Sequence, residues 1–319
     1  MKIAFLADPL ESFKIAKDST FAMMREAQRR GHVIYAFEQK DMAQEGSQVV
    51  ANVSCIHLTG EENAGSDWAR IDTAQAMPLT DFDAVILRKD PPFDMEYIYT
   101  TYLLEQAERQ GARVFNKPSA VRDHNEKLAI LQFAKFTAPT LVTRDEQRLR
   151  AFHAEHRDVI FKPLDGMGGS GIFRITQEGM NLGSVIEALT VNGQCTIMAQ
   201  RFIPEIELGD KRILLIGGQA VPYSLARIPQ GGEVRGNLAA GGKGVAQALS
   251  PRDREIAQAL GPILAARGLL LVGLDSIGPY LTEVNVTSPT CFQEITQQTG
   301  FDVAAMMIDA LEVAVQTES

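Results

Sequence analysis

The sequence predicts an α/β protein whose C-terminal part is α+β. Three observations predict it. Apolar strand patterns alternate with helical patterns from the N-terminus to about residue 120. Beyond Val121 the texture changes, and strands begin to follow one another in runs. Two glycine-rich stretches, around 165–171 and 229–244, interrupt this second part. Alternating strand and helix patterns imply a mostly parallel sheet, whereas runs of strands imply antiparallel pairing.

Taken in order, KIAFLAD (2–8) reads as a buried strand and Ser19–Arg30 as a helix, with Phe21, Met24 and Ala27 at helical spacing and Gly31 as its stop. HVIYAFE (32–38) is a second strand. Residues 40–77 show weak patterning and predict loops with short irregular strands. DAVILRKD (83–90) is a strong strand ended by Pro91-Pro92, Met95–Gln110 a helix, and ARVFNKP (112–118) another strand. Ligands of such sheets bind beyond the C-terminal strand ends, which here carry Asp8, Arg88, Lys89 and Asn116-Lys117. In the second part we predict helices at 125–135, 146–156, 181–192, 252–267 and 302–315. The strands expected there are 140–145, 158–164, 171–176, 195–203, 210–218 and 220–228, followed by a hairpin at 269–286.

Composition narrows the class. The chain has 319 residues, 45% hydrophobic and 22% charged, with a formal net charge of −9. That length supports two or three domains, and the negative balance argues against a general nucleic-acid binder. The N-terminal apolar run is too short for a signal peptide, and no run approaches a membrane span. Three scattered cysteines, Cys55, Cys195 and Cys291, without CxxC spacing, fit reduced thiols in a cytoplasmic protein.

The hairpin LLLVGLDSIGPYLTEVNV carries the clearest chemistry. Folding its strands about Gly278-Pro279-Tyr280 sets Asp275 opposite Glu283, and alternation puts Asn285 on the same face as Glu283. Two facing carboxylates repel unless a cation lies between them. An all-oxygen set suits Mg²⁺ or Mn²⁺, which takes its remaining ligands from water and phosphate; an ordinary solvated hairpin is the competing reading. Gly166-Met167-Gly168-Gly169-Ser170-Gly171 matches GxGxxG, yet a strand pattern, IFRIT, follows where a dinucleotide fingerprint needs a helix. A glycine hairpin of this kind closes over nucleotide phosphates with its N–H groups, and Lys162 stands at its entrance. The stretch 229–244 has no apolar periodicity but contains Arg235 and Lys243. A loop that long reads as a lid over a reactive intermediate.

Several segments together resemble bacterial glutathione synthetase, a member of the ATP-grasp superfamily: FKPLDGMGGSGIFRI, MAQRFIP, GDKRILLI, LARIPQGGEVRGNLAAGGKG, GLDSIGPYLTEVNVTSPT, and in the N-terminal part DSTFAMMREAQRRGH, LRKDPPFDMEYIYTTYLLE and VFNKPSAVRDHNEKL. The likeness spans essentially the whole chain, with nothing recognisable in 40–77. It implies an ATP-grasp fold behind a Rossmann-like N-terminal domain, 1–122. The ATP-grasp domain, 123–319, would divide into an ATP-binding part, 123–202, and a catalytic part, 203–319. It implies ATP-dependent joining of γ-glutamylcysteine and glycine through an acyl phosphate.

Carried over residue by residue, the resemblance assigns Asp275, Glu283 and Asn285 to the metal. It assigns Lys127, Lys162 and Gly166–Gly171 to the phosphates and the adenine side, Gln200, Arg201, Phe202 and Ile203 to adenine, and Asp210 to ribose. Arg212, Arg227 and Arg235 would stabilise the reacting groups. Arg88, Asn237 and Ser288, with Arg227 and Arg235, would bind substrate. It further suggests a homotetramer or homodimer. Two other readings remain: a different ATP-grasp carboxylate–amine ligase, of D-alanine–D-alanine or glutamate-adding type, and a non-catalytic ATP-binding module.

Overall fold

The computed structural model describes residues 1–60, 68–166, 168–231, 236 and 241–317. Its strands form three sheets. The first begins with β1 (Lys2–Leu6), which pairs in parallel with β2 (Val33–Phe37) and with β7 (Ala84–Leu87). Between β2 and β7 the chain makes β3 (Met42–Glu45), β4 (Gln48–Leu58), β5 (Ala69–Ile71) and β6 (Gln75–Pro78). β8 (Val114–Phe115) closes the other edge, giving the order β3-β4-β2-β1-β7-β8, with β5 and β6 also paired to β4. Helices α1 (Ser19–Arg29), α2 (Met95–Arg109) and α3 (Pro118–Asp123) belong to this part. α1 and α2 start where an aspartate caps them: Asp18 accepts from Phe21 N and Asp94 from Tyr97 N.

A kinked 3₁₀ segment (Leu128–Phe136) leads into the second sheet. This sheet consists of β9 (Thr140–Thr143), β10 (Val159–Pro163), β11 (Phe173–Ile175) and β12 (Ile197–Arg201), in the antiparallel order β11-β10-β12-β9. Helices α4 (Glu146–His156) and α5 (Leu182–Thr190) accompany it. Their contact with the sheet makes a small separate core around Leu149, Val159, Phe161, Ile186, Ile197 and Ala199.

The third sheet has the order β15-β14-β13-β16-β17, all antiparallel, from β13 (Asp210–Ile216), β14 (Gln219–Ile228), β15 (Lys243–Ala248), β16 (Leu271–Ile277) and β17 (Tyr280–Asn285). Helix α6 (Pro251–Ala266) covers one face. Helices α7 (Phe292–Thr299) and α8 (Val303–Thr317) cover the other. It shares its core with the N-terminal part far more than the second sheet does, which adds Met198 and Val142 to it. One cluster joins Ala4 and Val85 to Ile213 and Val284, and another joins Ile3 and Phe5 to Leu214 and Phe292. Asn116 adds polar stitches across this junction: its Nδ2 donates to Leu271 O (2.7 Å) and Val286 O (2.8 Å), and its Oδ1 accepts from Leu271 N (2.8 Å).

Four sequence expectations need correction. Residues 40–77 hold an eleven-residue strand, β4, whose buried Val49, Ala51 and Val53 alternate with the more exposed Val50, Asn52 and Ser54. Its small and polar residues blur that period of two. The helix expected at 125–135 is a 3₁₀ run with non-helical φ/ψ at Phe133. The stretch 229–244 ends inside β15, because Lys243 and Gly244 already pair with Ile228 and Arg227. Helices α3 and α7, both short, were not expected.

Candidate active site

The site grows out of strand alternation on facing sheets. On β10, Val159 and Phe161 turn into the small core, so Ile160 and Lys162 face the opposite way and line a cleft. On β12, Ile197 and Ala199 join the same core and Gln200 lines the cleft. The β10–β11 connection supplies Gly166, Gly168, Gly169 and Gly171, all with positive φ, between 67° and 96°. Four left-handed residues in six positions are accessible at low cost only to glycine. The loop therefore turns tightly between two strands, as its sequence predicts.

Across the cleft, one face of the third sheet bears a lattice of charges. Register pairs Asp210 with Arg227, Arg212 with Asp275, and Asp275 with Glu283. The expected opposition of Asp275 and Glu283 is thus present, and Asn285 follows on the same face opposite Gly273. Arg212 donates to Asp275 from Nε (2.5 Å) and Nη2 (3.0 Å). Arg227 Nη2 lies 2.6 Å from Asp210 Oδ2 and 2.9 Å from Asp275 Oδ2. Gly273 makes the first contact possible: a Cβ there would lie 2.9 Å from Arg212 Cδ. Burial alone would raise the Asp275 carboxyl, but Arg212 and then Arg227 outweigh it and hold it well below the usual carboxylate range. For Asp210 burial wins over Arg227, and its carboxyl is pushed up to about 7.

Glu283 is only partly buried, and its Oε1 lies 3.7 Å from Lys127 Nζ. Lys127 also contacts Glu126 Oε1 and donates to Gly166 O (3.2 Å), tying the glycine loop to the acidic corner. Asn285 donates from Nδ2 to Gly273 O (3.3 Å), which leaves its Oδ1 as the free end of the amide. Lys162 differs from all of these. It is 5% exposed, yet no hydrogen bond or ion pair reaches its ammonium among the described residues. Burial pushes its ammonium pKa down while the Glu283 charge pulls it back up. A buried, unpaired cation facing a cleft is costly unless an anion joins it.

The cleft brings together most of the residues singled out in the sequence: Lys127, Lys162, Gly166, Gly168–Gly169–Ser170, Gln200–Ile203, Asp210, Arg212, Arg227, Asp275, Glu283, Asn285 and Ser288 all line it. Gly171 lies at the end of the same loop, its Cβ position 3.2 Å from Pro163 Cγ. In the adenine segment, the N–H groups of Arg201 and Phe202 are taken by Pro139 O (3.0 Å) and Asp158 O (2.9 Å). Arg88 is not among the lining residues. It lies buried behind the wall, donating to Thr20 Oγ1 and Pro289 O (3.0 Å each), with Nη1 buried and unpartnered. Met167, Arg235 and Asn237 lie outside the described residues. Sequence reasoning missed Glu126, whose carboxyl is pushed up by burial and then by Glu283; its adjacency to Lys127 is the signal that points to it. It also missed Asp90, which bonds Ser288 Oγ from the N-terminal part.

A glycine hairpin over unpaired cationic charge, opposite an acidic sheet face, is the site of an ATP-grasp enzyme. Solved structures of that fold superpose over nearly the whole chain. D-cycloserine synthetase DcsG does so at TM-score 0.69 and 16% identity, covering 98% of this chain and 99% of its own. The ATP-grasp ligase PsnB, solved with a minimal precursor, Mg and ADP, does so at TM-score 0.63 and 21% identity, covering 98% of each chain. The family models for the prokaryotic glutathione synthetase N-terminal domain and ATP-grasp domain match residues 1–122 and 126–300. The chain is 68% identical over 314 residues to the glutathione synthetase of Ralstonia nicotianae, covering 98% of this chain and 96% of that one. It is 60% identical over 312 residues to that of Nitrosomonas europaea, covering 98% of both. The chain belongs to the prokaryotic glutathione synthetase family and is an ATP-dependent ligase. Among the described residues no helix is long and apolar enough to cross a membrane.

Proposed function

We propose the following division of labour for the synthesis of glutathione from γ-glutamylcysteine and glycine by this chain. ATP phosphorylates the cysteinyl carboxylate, and the glycine amine displaces phosphate from the resulting acyl phosphate, leaving glutathione, ADP and phosphate. The observation that carries the phosphate assignment is Lys162, a buried lysine that feels the charge of Glu283 but has no ion-pair partner in contact among the described residues. Triphosphate supplies that partner, with Lys127 and the N–H groups of Gly166–Gly171 as further donors. Adenine lies against Gln200–Ile203, where Ile203 N–H has no partner among the described residues. Asp210 faces the ribose.

Glu283 and Asn285 would hold Mg²⁺ or Mn²⁺. The fit rests on a partly exposed carboxylate and an amide oxygen left free on one strand face. The cation neutralises polyphosphate charge when bound. Asp275 completes the expected ligand set, although both its oxygens already serve Arg212 and Arg227. We therefore read its larger part as orienting these two guanidinium groups toward the reacting phosphoryl and carboxylate oxygens. No histidine or thiol is needed, because preorganised cations and N–H groups stabilise the developing charge. Arg88, through its free Nη1, and Ser288 serve the peptide substrate. Arg235 and Asn237 keep the lid roles that the family likeness suggests. We assign 1–122 to the peptide side, 123–202 to nucleotide binding and 203–319 to catalysis. We place the enzyme in the cytoplasm as a homotetramer or homodimer; free Cys55, Cys195 and Cys291 support a reducing compartment.

ADP release measured with γ-glutamylcysteine plus glycine, against D-alanine alone, tests the reading. Turnover with the first pair only is expected. Turnover with D-alanine, or with neither, overturns it.

A further inference from the structure

Away from the cleft, three donors of mixed type meet on the first sheet. Cys55 and His57 are two apart on β4 and so project from the same face. Asp72 follows β5 immediately, and its N–H donates to Cys55 O (3.0 Å), which fixes it beside the cysteine. Asp72 Oδ2 lies 2.9 Å from a His57 ring nitrogen. One ligand atom from each of the three residues can be chosen so that all lie within 4.8 Å of one another. Ligand atoms around a tetrahedral Zn²⁺ stand about 3.5 Å apart, given bonds of roughly 2.0–2.3 Å. A small side-chain rotation therefore closes the set. Cys55 and His57 are half-buried and Asp72 is exposed, so solvent reaches the open side and supplies a fourth ligand.

We propose that Cys55, His57 and Asp72 form a site for a borderline-soft divalent cation of the Zn²⁺ class, clipping β5 onto β4. The donor set decides the cation. A thiolate and an imidazole select Zn²⁺ or Co²⁺ over Mg²⁺, which prefers oxygen. The site is therefore chemically distinct from the oxygen-ligand corner of the cleft, and none of its residues lines that cleft. Binding releases the thiol proton to solvent and leaves the oxidation states unchanged. Arg70, 3.6 Å from Asp72 Oδ1, is the nearby opposing charge; it is 70% exposed and free to swing away.

The test is a Co²⁺ titration of the full-length enzyme saturated with Mg²⁺ and ADP, so that the cleft is filled. One equivalent is expected to give the visible bands of a tetrahedral ion together with thiolate-to-cobalt absorption in the near ultraviolet. Cys55→Ser and His57→Gln should lose both signals, Asp72→Asn should weaken binding at least about tenfold, and Cys195→Ser should bind as the parent does. Zn²⁺ should raise Tm in the parent and not in Cys55→Ser. Absence of thiolate absorption, or its persistence in Cys55→Ser, overturns the proposal. Because all three residues are at least partly exposed, metal-free melting confirms that each variant is folded.

Discussion

Arg212 on the five-stranded sheet and Lys162 on the four-stranded sheet are nearly equally buried, 7% and 5% exposed. Arg212 has its guanidinium closed by Asp275, whereas Lys162 has no carboxylate in ion-pair contact among the described residues and feels Glu283 only from farther off. The surroundings differ in the same sense. The five-stranded sheet shares its core with the N-terminal part, while the four-stranded sheet has a small core on one face and touches the shared core through Met198 on the other. One wall of the cleft thus pairs its buried arginines before any ligand arrives, and the other leaves a buried lysine for one. Charges on the first wall belong to the fold as much as to the chemistry. Lys162, on the second wall, belongs to the ligand.

That contrast orders the expected effects of mutation. Asp275→Ala strands the buried Arg212 guanidinium and leaves Arg227 with Asp210 alone; it should cost about 3–5 kcal/mol of stability, read by urea denaturation, and a loss below about 1 kcal/mol contradicts the lattice. Glu283→Gln should leave stability within about 1 kcal/mol, because Glu283 is partly exposed and its closest cation among the described residues, Lys127, is 3.7 Å away. Turnover should fall on the order of a thousandfold, since several kcal/mol of charge stabilisation go with the metal ligand. Near-normal ADP release by this variant at millimolar Mg²⁺ sinks the metal assignment. Gly273→Ala should displace Arg212 and cost about 1–3 kcal/mol, with activity reduced in step. An unchanged melting curve and unchanged activity would show that Arg212 has another route past β16.

The smallest effect is a pH dependence at Asp210. Its carboxyl is raised from 3.8 to about 7 in the folded protein. Between those values the folded state holds a proton that the unfolded chain has released. Stability contributed by this group is therefore present at low pH and lost as pH rises to about 7. Asp210→Asn removes that loss. The Tm of the variant minus that of the parent should climb by about 2–4 °C from pH 4.5 to 7 and then level off. A flat difference would mean that Arg227 keeps Asp210 ionised throughout.

How far the sequence reached depends on how local each feature is. The hairpin pairing of Asp275 with Glu283 was legible because turn chemistry and alternation act within a dozen residues. The glycine loop was legible because the pattern after it is a strand. The partners of Asp275 were not: β13 and β14 meet β16 only through sheet assembly, with Arg212 lying 63 residues away in sequence. Nor was the setting of Arg88 legible: its guanidinium is held behind the cleft wall by Pro289 O, a contact spanning 201 residues. β4 was missed because Asn52, Ser54, Cys55 and His57 dilute its apolar alternation. β15 was missed because an edge strand with the burial pattern of KGVAQA leaves little hydrophobic signal.

Lys162→Met measures the central claim, that one buried cation is held for the nucleotide and not for the fold. Methionine keeps the length and apolar volume while removing a charge that has no ion-pair partner in contact among the described residues. The account predicts opposite signs in one variant: a Tm equal to or above that of the parent without ligand, and ATP affinity weakened by about tenfold or more, the loss of one charged contact. A lowered Tm with ATP affinity intact would contradict it.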